Sequence, residues 1–220
     1  MFVGDFAFCA GIYHPIGLSI TSAGNWLVAN ARPLLTTASG AASSGVSGAA
    51  NLGNDPLTGM PVSNITSTIE FVPATGATVF SDNSLDYSLL SLGNAIEINS
   101  DYVAVAGIVA KTGSGSTASS QSDLTVLTGS RQGVVKVIEK KSGLVVSTQN
   151  TSDGTFAADV QVDEDGNLVI VEKSFANGLS QGRVVKIDQD GNVFFQFGLA
   201  EMASPNDVRV LSTGNMVVST

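Results

Sequence analysis

Apolar and polar positions alternate along Ala158-Asp159-Val160-Gln161-Val162-Asp163, the period of a strand with one face buried. Asp165-Gly166-Asn167 follows as a tight turn, because Gly and Asn tolerate positive φ. Leu168-Val169-Ile170-Val171 is then a short apolar strand bounded by polar residues. The same order returns in Asn206-Asp207-Val208-Arg209-Val210-Leu211, Thr213-Gly214-Asn215 and Met216-Val217-Val218, with 48 residues from Asn167 to Asn215. An early copy reads Ile16-Gly17-Leu18-Ser19-Ile20, Ala23-Gly24-Asn25, Trp26-Leu27-Val28-Ala29. A degenerate copy reads Ala95-Ile96-Glu97-Ile98, Asn99-Ser100-Asp101, Tyr102-Val103-Ala104-Val105. One hairpin is written four times.

A second hairpin falls between the copies. Gly182-Arg183-Val184-Val185-Lys186-Ile187-Asp188 leads through Asp190-Gly191-Asn192 into Val193-Phe194-Phe195-Gln196-Phe197. Its relatives are Gly133–Ile138 with Leu144-Val145-Val146, and Thr68–Val72 with Ala77-Thr78-Val79-Phe80. Two hairpins per unit give four antiparallel strands, the content of one propeller blade. The pattern predicts an all-β fold: a β-propeller domain over 1–220, with three complete blades and the inner half of a fourth. Residues 2–12 are expected to supply a strand beside 214–220 and close a four-bladed ring, because an open apolar edge is costly, the alternatives being a piece of a larger ring and an open arc completed by another chain. Alternation also predicts that Leu18, Ile20, Val160, Val162, Val208 and Val210 point between blades into the core.

The turn-to-turn spacing is 76 residues from Asn25 to Asp101 and 66 from Asp101 to Asn167. Each long interval contains a Gly/Ala/Ser/Thr-rich stretch, 36–64 in the first and 112–132 in the second. Both fall between the second and third strands of the unit, so they are expected on one face of the protein. Such segments lose much conformational entropy on ordering and have little apolar area to offset it. Contacts with other subunits are the expected support.

Pro205-Asn206-Asp207-Val208-Arg209-Val210 with Thr213-Gly214-Asn215-Met216-Val217-Val218 resembles the NHL-type propeller repeat. So does His14-Pro15-Ile16-Gly17-Leu18-Ser19-Ile20 with Gly24-Asn25-Trp26-Leu27-Val28-Ala29. The resemblance implies a propeller fold. It is nearly silent on function, since NHL-like propellers include lyases, signalling domains and protein-binding platforms. The Asp that usually closes the second strand in that family is absent. Asn30, Ile108, Glu172 and Thr220 stand near those positions.

Composition narrows the partners. The net charge is −9 with a pI near 4.3, and such a surface repels phosphate backbones, which argues against nucleic acid. Arg32 is the only basic residue before Lys111. No apolar run reaches bilayer-spanning length, so no membrane partner is expected. The start, Met1-Phe2-Val3-Gly4-Asp5-Phe6, has no basic n-region and is read as carrying no signal peptide.

Candidate chemistry is sparse. Asp163-Glu164-Asp165-Gly166-Asn167 and Asp188-Gln189-Asp190-Gly191-Asn192 resemble fragments of a calcium loop but lack EF-hand spacing, and are read as hairpin turns. His14 has no partner His or reactive Cys nearby in sequence, and Cys9 reads as a small buried hydrophobe beside Phe6 and Phe8. A single Cys and a single His exclude a disulfide and make a Cys/His zinc site untenable. Gly113–Thr117 lacks the Gly-Lys-Ser/Thr ending of a phosphate loop. The sequons at Asn64 and Asn150 carry little without a secretion signal. Lys136, Lys140, Lys141, Lys173, Arg183 and Lys186 are read as solvated outer-strand residues that discourage edge pairing. No catalytic, cofactor-binding or metal-ligating residue is assigned, and no cofactor is expected. The expected function is therefore that of a non-enzymatic structural and interaction protein in a larger assembly. Its low charge and Ala/Gly/Ser/Thr content suit a tailed-phage virion. The alternative is a ligand- or glycan-binding module using Trp26, Tyr13 or Tyr102; a propeller enzyme with its site at the channel mouth is less favoured.

Overall fold

In the computed structural model, residues 15–33, 35–36, 50–51, 63–82, 89–110, 131–174, 181–188, 190–203 and 205–220 are described. Every regular element among them is a β-strand. The first blade contains β1 (Pro15–Ile20) and β2 (Trp26–Pro33). The pair β3 (Leu35–Thr36) and β4 (Ala50–Asn51) then intervenes, before β5 (Ser63–Phe71) and β6 (Thr78–Asp82) complete that blade. The second blade is β7 (Leu89–Glu97), β8 (Tyr102–Ala110), β9 (Arg131–Glu139) and β10 (Val145–Asn150). The third is β11 (Thr155–Val162), β12 (Leu168–Ser174), β13 (Gln181–Ile187) and β14 (Val193–Ala203). A hairpin of β15 (Asp207–Val210) and β16 (Met216–Ser219) follows. Each four-stranded sheet is antiparallel with strands in sequence order, so the chain meanders outward through every blade.

The turns form for the reason their composition gives. Asp163 Oδ1 accepts from the backbone N–H of Asp165 (3.0 Å) and of Asn167 (2.9 Å), while Oδ2 accepts from Asn167 Nδ2 (3.1 Å). Gly166 takes φ of 82°, which a side chain resists. Asp188 repeats the device on Asp190 N at 2.9 Å and on Asn192 N and Nδ2 at 2.8 Å. The Asp163 and Asp188 carboxylates are thus occupied in folding the turns.

Blades pack face to face through apolar seams. Leu27, Ala29 and Phe80 of the first blade meet Ala95, Val103, Val105 and Ile138 of the second. Ala104, Ala106 and Val135 on the opposite face meet Val160, Ile170 and Val185 of the third. Val169, Val171 and Val184 then meet Val208, flanked by Val210, Met216 and Val218. Strand β8 is apolar at consecutive positions because both of its faces are buried.

Two expectations need correction. Val160 and Val208 are fully buried, and Val162 and Val210 pack half-buried on the seams, but Leu18 and Ile20 are 52% and 70% exposed. On β1 it is Ser19 that faces the second blade, with its Oγ donating to the Ala95 carbonyl at 2.9 Å. Period-2 alternation then turns Leu18 and Ile20 away from that seam. The basic residues are not simply solvated. Lys136 is buried, and Lys140, Arg183 and Lys186 are each engaged in an ion pair. The expected closing strand, 2–12, lies outside the described residues. So do most of the stretches 36–64 and 112–132, although the strands that bracket them, β2 and β5, β8 and β9, are the second and third of their blades.

Candidate functional site

The first strands of the blades, β1, β7, β11 and β15, surround a common opening of about 260 Å³. Each of the first three breaks register on its way in, between Pro15 and Gly17, Leu92 and Ala95, and Ala157 and Asp159. Such a bulge re-aims the next side chain. Gly17, Asn94, Asp159 and Asp207 occupy matching places at the opening. Their chemistry interlocks. Asn94 Nδ2 donates to Asp159 Oδ1 at 2.6 Å, and the backbone N–H of Val208 donates to Asp159 Oδ2 at 3.0 Å. Asn94 Oδ1 accepts from Ala95 N at 2.8 Å. A Cβ on Gly17 would stand 2.3 Å from Asn94 Oδ1, so only glycine leaves room for that amide. Arg209 Nη1 lies 3.1 Å from Asp207 Oδ1 and 3.8 Å from Asp159 Oδ2.

One carboxylate therefore joins three blades. Burial first, and then the hydrogen bond with Asp207, raise the Asp159 pKa to about 6 against the opposing pull of the donors Val208 N and Asn94. The opening can hold a proton between two carboxylates and can accept hydrogen bonds. His14 and Cys9, the residues with nucleophile or base chemistry in the sequence, lie outside the described residues.

Polar clamps also cross the seams. Lys140 Nζ sits 2.9 Å from Glu70 Oε2 of the first blade and 2.6 Å from Glu97 Oε1 of its own. Glu70 Oε1 accepts from Asn25 Nδ2 at 2.9 Å, and Glu97 Oε2 accepts from Ser22 N at 2.5 Å. Burial alone would raise the Glu97 pKa, but Lys140 and Ser22 outweigh it and hold the carboxyl below its ordinary value. Burial would likewise lower Lys140, but its bonds to Glu97 and Glu70 outweigh that and raise it. Within the third blade Arg183 bonds the cross-strand Glu172 (2.8 Å from Nε), and it also bonds the Ser152 hydroxyl in the connection that arrives from the second blade. Lys173 Nζ reaches Asn206 Oδ1 at 2.6 Å, linking the third blade to the last hairpin.

A second concavity, of about 310 Å³, lies between the second and third blades. Ile98, Tyr102 and Leu168 line its apolar side, and Gln149, Asp188 and Asp190 its polar side. Of the aromatic residues proposed for ligand contact, Tyr102 alone among the described residues lines this groove, while Trp26 packs edge-on against Phe71 with ring centroids 5.8 Å apart. Asn94, Asp159, Asp207 and Arg209 were not singled out from the sequence. The available signal was the recurrence of Asp at matching places, Ala158-Asp159-Val160 and Asn206-Asp207-Val208, where an alternating strand with one buried face has no need of a carboxylate.

Four-stranded antiparallel blades packed around a central opening define an all-β propeller fold. Comparison of the sequence with family models and with curated proteins yields no match. The fold is similar to Kuenenia stuttgartiensis hydrazine synthase, a protein that contains a β-propeller, with a TM-score of 0.53 and 13% sequence identity. The match covers 93% of this chain and 49% of that one, so the chain spans about half the length of that protein. At this identity the likeness establishes fold alone.

Proposed function

We propose that this chain is a non-enzymatic interaction protein, a propeller of the NHL-like type serving as a subunit of a larger assembly such as a tailed-phage virion. The observation that carries the reading is the use of the polar groups. Asp159, Asn94 and Lys140 are committed to bonds between blades, which builds a rigid platform rather than a reactive set. The two Gly/Ala/Ser/Thr-rich insertions support it as well, since both leave the platform between a second and a third strand. Deleting 36–64 or 112–132 is expected to leave the thermal unfolding of the purified chain nearly unchanged. It is also expected to abolish incorporation into the native particle, read by the particle's mass and subunit stoichiometry. Normal incorporation of both deletion variants would overturn the proposal.

A glycan-binding role is the second reading, favoured by the Tyr102 groove. An aromatic ring beside fixed acceptors suits the C–H face and hydroxyls of a sugar. Calorimetric titration of the intact chain with neutral oligosaccharides would then give saturable heat that Tyr102→Ala removes. Heat unchanged by that substitution, or none at all, would dispose of it.

A further inference from the structure

We propose that the groove between the second and third blades receives a lysine side chain presented by another protein of the assembly, its alkyl stem lying on Tyr102 and its ammonium meeting Asp190. This deepens the interaction-protein reading and rests on it. The neighbouring seam shows what such a place can hold. There Lys140, from the turn after β9, reaches between the first two blades to Glu70 and Glu97, with its side chain only 13% exposed. The two seams correspond residue by residue. Glu70 lies opposite Leu27 and Val137 opposite Ala104, and each pair faces the blade that follows. Glu97 and Val162 are likewise the last paired residues of β7 and β11. At the second seam, therefore, valines stand where the first has glutamates. The turn after β13 offers Asp188 and Asp190 rather than a lysine, and the groove of about 310 Å³ lies where Lys140 lies in the first.

The two sides of the groove suit the two halves of a lysine. On the apolar side, beside Tyr102 and Ile98, the register break between Val145 and Ser147 leaves Val146 out of the ladder and 54% exposed. An alkyl stem covers such a surface while its charged head stays at the rim. The other side is acidic. Hydrogen bonds from Asn192 hold the Asp188 carboxyl below its ordinary pKa, so it is charged at neutral pH, and Asp190 is exposed beside it. Gln149 Nε2 donates to Ser147 Oγ at 3.3 Å, and its amide lies so close to Gly191 that a Cβ there would stand 2.5 Å from Oε1. This contact ties the acidic turn to β10 and sets the width of the groove. Among the described lining residues there is no base. Lys186, the nearest lysine along the chain, lines the groove on the other side of its blade and pairs with Asp163. Two carboxylates without a lining cation make a positively charged occupant the complementary one, and the net charge of −9 attracts it from a distance.

The probe is N-acetyl-lysine methylamide, titrated into the intact isotope-labelled chain. Saturable amide shifts are expected at Tyr102, Ser147–Gln149 and Asp190–Gly191. The norleucine analogue, which lacks only the ammonium, is expected to shift none of them. Asp190→Asn is expected to weaken binding roughly fivefold. Asp190→Lys supplies a cation from the chain itself and is expected to abolish binding. Unmoved β2 amides in both variants would show that the fold is intact. Equal shifts with the norleucine analogue, or binding indifferent to both substitutions, would refute the proposal. So would shifts at these amides with a neutral oligosaccharide and none with the blocked lysine, a result that gives the groove to a glycan. The loop deletions judge the assembly reading separately. If both deletion variants incorporate normally, lysine-dependent shifts in the groove still assign it to a basic side chain.

Discussion

Asp159 is a buried acid whose surroundings pull in opposite directions. Asn94 and the Val208 amide stabilise its charge, whereas burial and the neighbouring Asp207 oppose it more strongly. With its pKa raised from 3.8 to about 6, the folded state binds the proton more tightly than the unfolded chain does. The resulting stabilisation is complete below pH 3.8 and disappears as pH rises through about 6. Stability is therefore expected to increase between pH 7.5 and pH 5, by about 1.4 kcal/mol for this group. Denaturant melts of parent and Asp159→Asn across that range provide the measurement. The variant should lose most of the slope, and an unchanged slope would place its origin in another group. Val208, whose backbone N–H donates directly to Asp159 Oδ2, should report the same change as a shift in its amide resonance.

At the scale of elements, the blades are held by more than their apolar seams. Lys140, from the turn after β9, bridges Glu70 on β5 and Glu97 on β7. Removing the cation alone would leave two poorly solvated carboxylates facing one another. Lys140→Met is expected to cost about 3 kcal/mol in chemical denaturation. Adding Glu70→Gln and Glu97→Gln to the same chain should recover most of it, and an undiminished loss in the triple variant would show that packing rather than charge is responsible. Glycines set the spacing of the same elements. Gly133 and Gly182 occupy equivalent places early in the third strands, and a Cβ there would meet Phe156 Cα at 2.4 Å and Pro205 Cδ at 2.3 Å. The next blade's entry segment passes directly over them, so the missing side chain decides how closely successive blades approach.

For the molecule as a whole, the blade pattern was legible in the sequence because a repeat states the same local physics several times. The alternation before Asn167 and Asn215, the turn residues and the place of the insertions all reappear as strands and connections of the expected order. The orientation of β1 was not legible. Leu18 and Ile20 have the same alternation as Val160 and Val162, and only the neighbouring sheet determines which face is covered. The basic residues were misread for a related reason. Lys140 finds its acids, Glu70 and Glu97, on another blade and another strand, at separations no local pattern encodes, whereas Arg183 meets Glu172 directly across the neighbouring strand. The central cluster escaped notice because its members are far apart in the chain, Asn94 and Asp159 by 65 residues and Asp159 and Val208 by 49.

The residues at the matching places around the opening are not alike: glycine, asparagine, aspartate and aspartate in turn. Each suits only its neighbour. Gly17 yields space to the Asn94 amide, Asn94 donates to Asp159, and Asp159 accepts from the backbone beside Asp207. Near-identical modules ordinarily risk joining in the wrong sequence, or exchanging with those of another copy, because their seams are interchangeable. Here a blade set one place out of turn would place a glycine or a second carboxylate where Asp159 now meets the Asn94 amide. The four unlike residues thus act as a serial number that matches each blade to its own neighbour.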